Sequence, residues 1–318
     1  MSDRGSGRPR PLNYDSYLDE EVRAFIARTD ALSPPDAVNL SISDQRRVYD
    51  DLCRAFDTGY PDGVATRDLD AGGVPVRLYE AGAPSVSVIY LHGGGFVVGG
   101  LESHDSICAE ICSGTGHRVI SVDYRLAPEH PHPASFDDAV TATAWVLERF
   151  PGPVVLVGDS AGGTLAAAVT HAMRGRTDRI TGQLLIYPGL GGDMTRGSYV
   201  THANAPGLTT ADIGFYQSVR TGGAIPEGDP SYAPLQDSDF TGLPHTIIVT
   251  AQCDPLADDG AAYRDAIRAA GGKVHWISEA GLIHGYLRAR TLSTRARDSF
   301  ATIVADLQCL GQGVWPYD

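Results

Sequence analysis

Ser160 lies in the run Val154-Val155-Leu156-Val157-Gly158-Asp159-Ser160-Ala161-Gly162-Gly163, an apolar stretch that passes through G-x-S-x-G into an alanine-rich segment. In a chain with 37 glycines the five-residue pattern alone would arise by chance about 0.3 times, so the pattern says little without its setting. The setting is a strand turning sharply into a helix. Glycines at 158 and 162 leave room beside the serine, and the turn lifts its hydroxyl above the sheet edge. The N-terminus of the following helix faces the same point and favours negative charge there. That is the chemistry of a nucleophile in acyl transfer; the competing reading is a glycine-rich turn with an incidental serine.

A second element argues for the first reading. The apolar run 86–91 leads into His92-Gly93-Gly94-Gly95-Phe96, and a histidine followed by three glycines is expected by chance only about 0.02 times in such a chain. Three residues without Cβ let the backbone approach a substrate closely and turn its N–H groups toward one point. A tetrahedral oxyanion needs such donors, together with the N–H of the residue after the nucleophile, Ala161. Glycine-rich turns also cradle phosphate, but the next residues, Phe96-Val97-Val98-Gly99-Gly100, carry no Lys-Ser/Thr pair. His92 is expected to brace the loop by hydrogen bonding and not to exchange protons.

The chain holds ten histidines that could serve as base. The base should follow the last strand, downstream of an acid that follows the preceding strand. His284 meets that condition after a strand at 274–277 and a loop at 278–283, with Gly285 allowing a sharp turn. Asp254 comes just after a strand at 246–250, with Pro255 expected at the first position of the next helix. Asp258 and Asp259 fall in that helix's first turns, where the helix dipole ordinarily accounts for acidic residues. His275 lies within a strand, and His104, His117, His171, His202 and His245 are expected at the surface or at caps.

The elements that must position these residues follow from periodicity. Apolar runs at 74–79, 86–91, 119–122, 154–157, 184–187, 246–250 and 274–277 read as strands, separated by helical stretches near 104–113, 135–149, 161–174, 256–270 and 292–310. Buried strands alternating with helices predict an α/β fold with a mainly parallel central sheet flanked by helices. Two amphipathic segments, 17–28 after a Ser16 cap and 43–56, precede the first strand. The stretch 189–244 interrupts the rhythm and holds one clear helix, at 209–219; a long interruption of this kind is usually a functional lid. The expected organisation is an N-terminal tail and cap helices over 1–56, then a catalytic domain over 57–318 with a cap insertion at 189–244.

Composition narrows the function classes. Of the 318 residues 42% are hydrophobic and 20% charged, near globular averages, and no apolar run is long enough to span a bilayer. A net charge of −14 without a Lys/Arg cluster argues against a nucleic-acid or anionic-membrane partner. Five scattered cysteines lack zinc or redox spacing and are expected as reduced thiols. Residues 1–14 read as a polar tail without a secretory signal, which predicts a cytoplasmic location.

Taken together, His92–Phe96, Asp123-Tyr124-Arg125-Leu126-Ala127-Pro128-Glu129, Gly158–Gly163, Asp254-Pro255-Leu256 and His284-Gly285 resemble the bacterial members of the hormone-sensitive lipase family of α/β-hydrolases, in order and over roughly residues 70–310. The resemblance implies an α/β-hydrolase fold with a two-part helical cap, and an oxyanion hole in which the N–H groups of Gly94 and Gly95 join that of Ala161. Two positions depart from the family pattern, His132 where an aromatic is usual and Tyr286 where Phe is commoner. The Tyr124–Glu129 block is expected to be structural, a buried turn in which Arg125 pairs with Glu129.

The expectation is a carboxylester hydrolase for short- to medium-chain acyl esters, with Ser160 as nucleophile, His284 as base and Asp254 as orienting acid, working through an acyl-enzyme. No metal or organic cofactor is required. The partner is a small-molecule ester, and a homodimer is compatible with the sequence. An amidase or formamidase on the same machinery is the alternative, and a non-catalytic receptor of this fold, which would lack the base, is disfavoured by His284.

Overall fold

Along the central strands successive side chains fall on opposite faces, and here both sets are apolar. Val88, Tyr90, Val155, Val157, Leu184 and Ile186 belong to one core cluster, while Ile89, Leu91, Val154, Leu156 and Leu185 belong to another. A sheet with two apolar faces must be covered twice. In the computed structural model, which describes residues 12–34 and 36–317, it is.

Among the described residues the strands are β1 (Ala65–Asp70), β2 (Pro75–Glu80), β3 (Ser87–Leu91), β4 (Arg118–Val122), β5 (Val154–Asp159), β6 (Ile180–Ile186), β7 (His245–Cys253) and β8 (Val274–Ile283). They form one sheet in the order β1-β2-β4-β3-β5-β6-β7-β8, with β1 and β2 antiparallel and β4 through β8 parallel. One face is covered by α3 (Asp105–Thr115) and α9 (Thr294–Gly311), the other by α4 (Ala134–Arg149), α5 (Ala161–Met173) and α8 (Ala257–Ala269).

The seven expected strands all form. The eighth, β1, carries Arg67, Asp68 and Asp70 and is almost wholly exposed, so it has no apolar run to betray it; an antiparallel register against β2 makes it a strand. The expected loop 278–283 is also strand: β8 runs on to Ile283, pairing Ser278 with Thr250 and Ile283 with Cys253 across an irregularity in β7.

Among the described residues two α-helices precede the sheet, α1 (Glu20–Leu32) and α2 (Ile42–Ala55). The first is capped by the Asp19 carboxylate, which accepts from Val22 N–H at 2.9 Å, and not by Ser16, which lies in an earlier 3-10 turn. The second is capped by Ser41. The insertion between β6 and β7 holds a single turn, α6 (Ser198–Thr201), and α7 (Thr210–Thr221). A Thr209/Asp212 capping box starts α7, and Gly222 in the left-handed region ends it. The tail expected over residues 1–14 lies, up to residue 11, outside the described residues. Among the described residues no helix is long and apolar enough to cross a membrane.

Candidate active site

Strand register brings the chemistry together. Cys253 pairs with Ile283, so Asp254 and His284 leave β7 and β8 side by side. Leu91 pairs with Gly158 one strand over, so the His92–Phe96 loop emerges beside the turn that carries Ser160. The three side chains form one relay. Nε2 of His284 lies 2.8 Å from Ser160 Oγ, and its Nδ1 lies 2.7 Å from Asp254 Oδ2. Asp254 is fully buried, and its other oxygen accepts the Leu256 N–H at 2.9 Å. Pro255 is not the first helical residue as expected, because α8 begins at Ala257; the Asp254 carboxylate itself holds the intervening turn.

Ser160 has φ +54° and ψ −120°, a strained conformation for a residue with a Cβ. The sheet fixes it from below through the Ser160 N–H, which donates to Ile186 O at 2.8 Å. A Cβ at Gly158 would run into Gly162, and one at Gly162 into the carbonyl of Leu91, so both glycines are required by space.

The glycine loop is bent by Gly94 (φ +127°), Gly95 (φ +61°) and Phe96 (φ +66°). Its Gly94 carbonyl accepts from Val97 and Val98 N–H at 3.0 Å each. Among the described residues nothing accepts from the N–H groups of Gly94, Gly95 or Ala161, and all three residues line the space around Ser160. His92 braces this loop as expected. Its Nδ1 lies 2.8 Å from Gly93 O, its ring stacks on Tyr124 at 4.2 Å, and Tyr124 donates to His92 O at 2.6 Å. Burial, reinforced by nearby His104, pushes His92 down to about 4, so the ring is neutral at pH 7.

Asp159 escaped the sequence reading. Its buried carboxylate accepts from Tyr90 OH at 2.8 Å, from Gly93 N–H at 2.9 Å and from Tyr187 OH at 3.4 Å, and lies 3.2 Å from His104 Nε2. Burial alone would raise this acid, but His104 and the donated hydrogen bonds outweigh it and hold it well below the usual carboxylate range. One carboxylate thus ties the Ser160 turn to the glycine loop. The signal was a charged residue inside the motif; its partners are 28 to 69 positions away, beyond any local pattern.

Other expectations need correction. Arg125 pairs with Asp138 at 2.7 Å, and Glu129 pairs with Arg46 of α2 at 2.6 Å, so the expected Arg125–Glu129 pair does not form. His117 and His171 are buried and not at the surface, whereas His104, also buried, stands at the N-cap position of α3. Asp258 and Asp259 do more than complement a dipole: they anchor the insertion. Asp258 accepts from Ser198 N–H at 2.8 Å. Asp259, fully buried, accepts from Leu190, Gly191 and Gly192 N–H at 2.7, 3.1 and 3.3 Å and from Tyr199 OH at 3.0 Å.

Removing the Asp259 carboxyl should therefore loosen the root of the insertion. Asp259→Ala leaves four donors without an acceptor and should cost about 2–4 kcal/mol, read as a lower melting temperature. Asp259→Asn keeps an acceptor and should cost less. Burial raises this carboxyl from 3.8 to about 6, against the opposing N–H bonds from Leu190 and Gly192. A folded state that binds the proton more tightly loses stability as pH rises from about 4 to about 6, and Asn should flatten that slope in melts across this range. An unchanged slope would show that this group does not titrate there.

Two cavities meet at Ser160. The smaller, about 90 Å3, reaches under α7 past Ala161, Leu208, Ile213 and Leu256. The larger, about 230 Å3, runs between Phe25 and Tyr49 of the N-terminal helices and Tyr216 of α7, with His284 in its wall. Among the described residues no group of histidine, cysteine and carboxylate side chains could hold a metal ion.

A family model described as the alpha/beta hydrolase fold matches residues 88–288. Esterase LipI of Mycobacterium tuberculosis is 38% identical over 235 residues, covering 69% of this chain and 73% of its own. The ethyl acetate hydrolase of Pseudomonas putida is 31% identical over 267 residues, covering 78% and 83%. A hyperthermophilic esterase from the archaeon Pyrobaculum calidifontis superposes with a TM-score of 0.83 at 26% identity, covering 92% of this chain and 99% of that one.

Proposed function

The chain belongs to the α/β-hydrolase fold family, among its bacterial hormone-sensitive-lipase-like esterases, and on that premise we propose that it hydrolyses short- to medium-chain carboxylic esters with Ser160 as nucleophile, His284 as base and Asp254 as the acid that orients it. The observation that carries this reading is the relay from Ser160 Oγ to His284 at 2.8 Å and on to Asp254 at 2.7 Å.

His284 Nε2 takes the hydroxyl proton as Ser160 Oγ bonds to the ester carbonyl carbon. Asp254 holds the proton on Nδ1 and stabilises the imidazolium. The N–H groups of Gly94, Gly95 and Ala161 receive the oxyanion; their lack of a partner among the described residues supports the assignment, since such donors need no reorganisation before reaction. The bond to the alcohol oxygen then breaks, and His284 returns the proton to the departing alkoxide. Water repeats the sequence on the acyl-enzyme and releases the carboxylic acid.

His284 faces the larger cavity, so the alcohol departs there, and the acyl group occupies the smaller one. The N-terminal helices and the insertion act as the two parts of a cap, since residues from both wall the larger cavity. A cytoplasmic location is part of the same reading: all five cysteines are free, four of them buried, which suits a reducing compartment.

An acyl cavity of about 90 Å3 has little room for a long chain. Across p-nitrophenyl esters kcat/KM should peak at or below C8 and fall at least tenfold by C14. A maximum at C14 or beyond, or activation at a lipid interface, would rule out this chain-length assignment.

A further inference from the structure

The smaller cavity contains a charge that a plain alkyl ester does not use. Arg220, in the last turn of α7, is 5% exposed and lines this cavity together with Ser160. Its guanidinium lies 3.6 Å over the Phe96 ring and 4.3 Å from the Tyr232 ring centroid. One nitrogen, Nη1, donates to the Tyr232 carbonyl at 3.1 Å. The other two, Nε and Nη2, are buried without a partner among the described residues, and so are the Tyr232 hydroxyl and His132 Nδ1. His132 belongs to the same cluster, since its N–H donates to Arg220 O at 2.8 Å and its ring packs edge-on against Tyr232.

Among the described residues no carboxylate forms an ion pair with this cation. Asp229, the nearby candidate, is taken by His132 at 3.1 Å and by Ser231 at 2.6 Å. The aromatic faces compensate the guanidinium only in part, and a buried cation is strongly disfavoured unless paired. Burial lowers the group to about 10, which still leaves it charged at neutral pH. Nε and Nη2 are adjacent donors on one edge of a planar fork, the arrangement that a carboxylate accepts with both oxygens. The chain's net charge of −14 opposes anions at long range, yet salt screens it beyond roughly 8–10 Å, whereas contact with Arg220 inside the cavity is screened far less.

We propose that Arg220, with the Tyr232 ring packed against it, makes this cavity a subsite for a carboxylate at the far end of the acyl group, so that half-esters of short dicarboxylic acids are preferred substrates. The proposal rests on the ester-hydrolase reading above and narrows its substrate class.

The test compares monoethyl succinate with ethyl 4-methylpentanoate, in which an isopropyl group of the same shape replaces the carboxylate; ethanol release reports both. The wild-type protein should favour the half-ester at least tenfold in kcat/KM, and Arg220→Met should bring the ratio to one or below. A wild-type preference for the neutral ester, or a ratio unchanged by Arg220→Met, overturns the proposal. Should Arg220→Met fail to fold, Tyr232→Phe keeps the ring, removes only the hydroxyl, and should cut the ratio at least threefold; an unchanged ratio counts against the subsite. If the wild type turns over p-nitrophenyl butyrate but neither ester, the proposal is overturned; if it turns over none of the three, the ester-hydrolase reading has failed. Calorimetry on Ser160→Ala then decides the subsite separately, where binding of the half-ester but not of its neutral counterpart supports it and no binding of the half-ester overturns it.

Discussion

Ser160→Ala should remove ester hydrolysis almost completely while leaving the fold and the melting temperature near those of the wild type. Alanine keeps the Cβ, so the strained turn at φ +54° is no worse than before, and the bond from Ser160 N–H to Ile186 O is untouched. What disappears is the oxygen 2.8 Å from His284 Nε2. Without it no acyl-enzyme can form, and the remaining groups can only stabilise direct attack by water. In subtilisin loss of the nucleophile costs on the order of 10^6 in kcat, the residue of activity coming from the oxyanion donors and substrate binding. A fall of at least about a thousandfold in kcat with p-nitrophenyl butyrate is expected here. Purified, tag-free Ser160→Ala protein that kept more than about a tenth of the turnover would remove Ser160 from the mechanism.

The tight turn at Ser160 and the bend of the glycine loop were legible because they are local. The space for Ser160 is set by Gly158 and Gly162, two residues away on either side, and the bend of the His92–Phe96 loop is set by consecutive glycines. Asp254 and His284 are 30 positions apart, yet topology restored the link, since each stands at the end of a neighbouring parallel strand. Contacts chosen among distant alternatives were not legible. Arg125 could have met Glu129, but α4 presents Asp138 to it and α2 presents Arg46 to Glu129. Asp159 gathers Tyr90, Gly93, His104 and Tyr187 from separate segments. Arg220 falls one position past the helix expected at 209–219, and nothing local in the sequence sets it apart. Only the packing of α7 against Phe96 and Tyr232 shows that it is buried and, among the described residues, without an ion-pair partner.

Asp254→Asn should lower kcat about ten-thousand-fold with little change in stability, whereas Asp258→Asn and Asp259→Asn should each retain most of the turnover. Asp254 uses its two oxygens differently: one accepts the Leu256 N–H at 2.9 Å, the other faces His284 Nδ1 at 2.7 Å. In Asn the carbonyl can keep the first bond, which turns the amide NH2 toward Nδ1. The imidazole must then accept at Nδ1 and carry its proton on Nε2, so it offers Ser160 a hydrogen where a lone pair is needed. Geometry survives and general-base catalysis does not, which is how the corresponding Asp→Asn change in a chymotrypsin-type protease loses about four powers of ten. The two neighbouring carboxylates face elsewhere, Asp258 toward Ser198 and Asp259 toward the backbone at 190–192 and Tyr199. Their loss should appear in melting temperature and KM, through the insertion they anchor, and not in the pH profile of kcat. If Asp254→Asn instead kept near-wild-type kcat while Asp258→Asn or Asp259→Asn collapsed it, the orienting acid would have to be reassigned and the 2.7 Å contact to His284 read as structural.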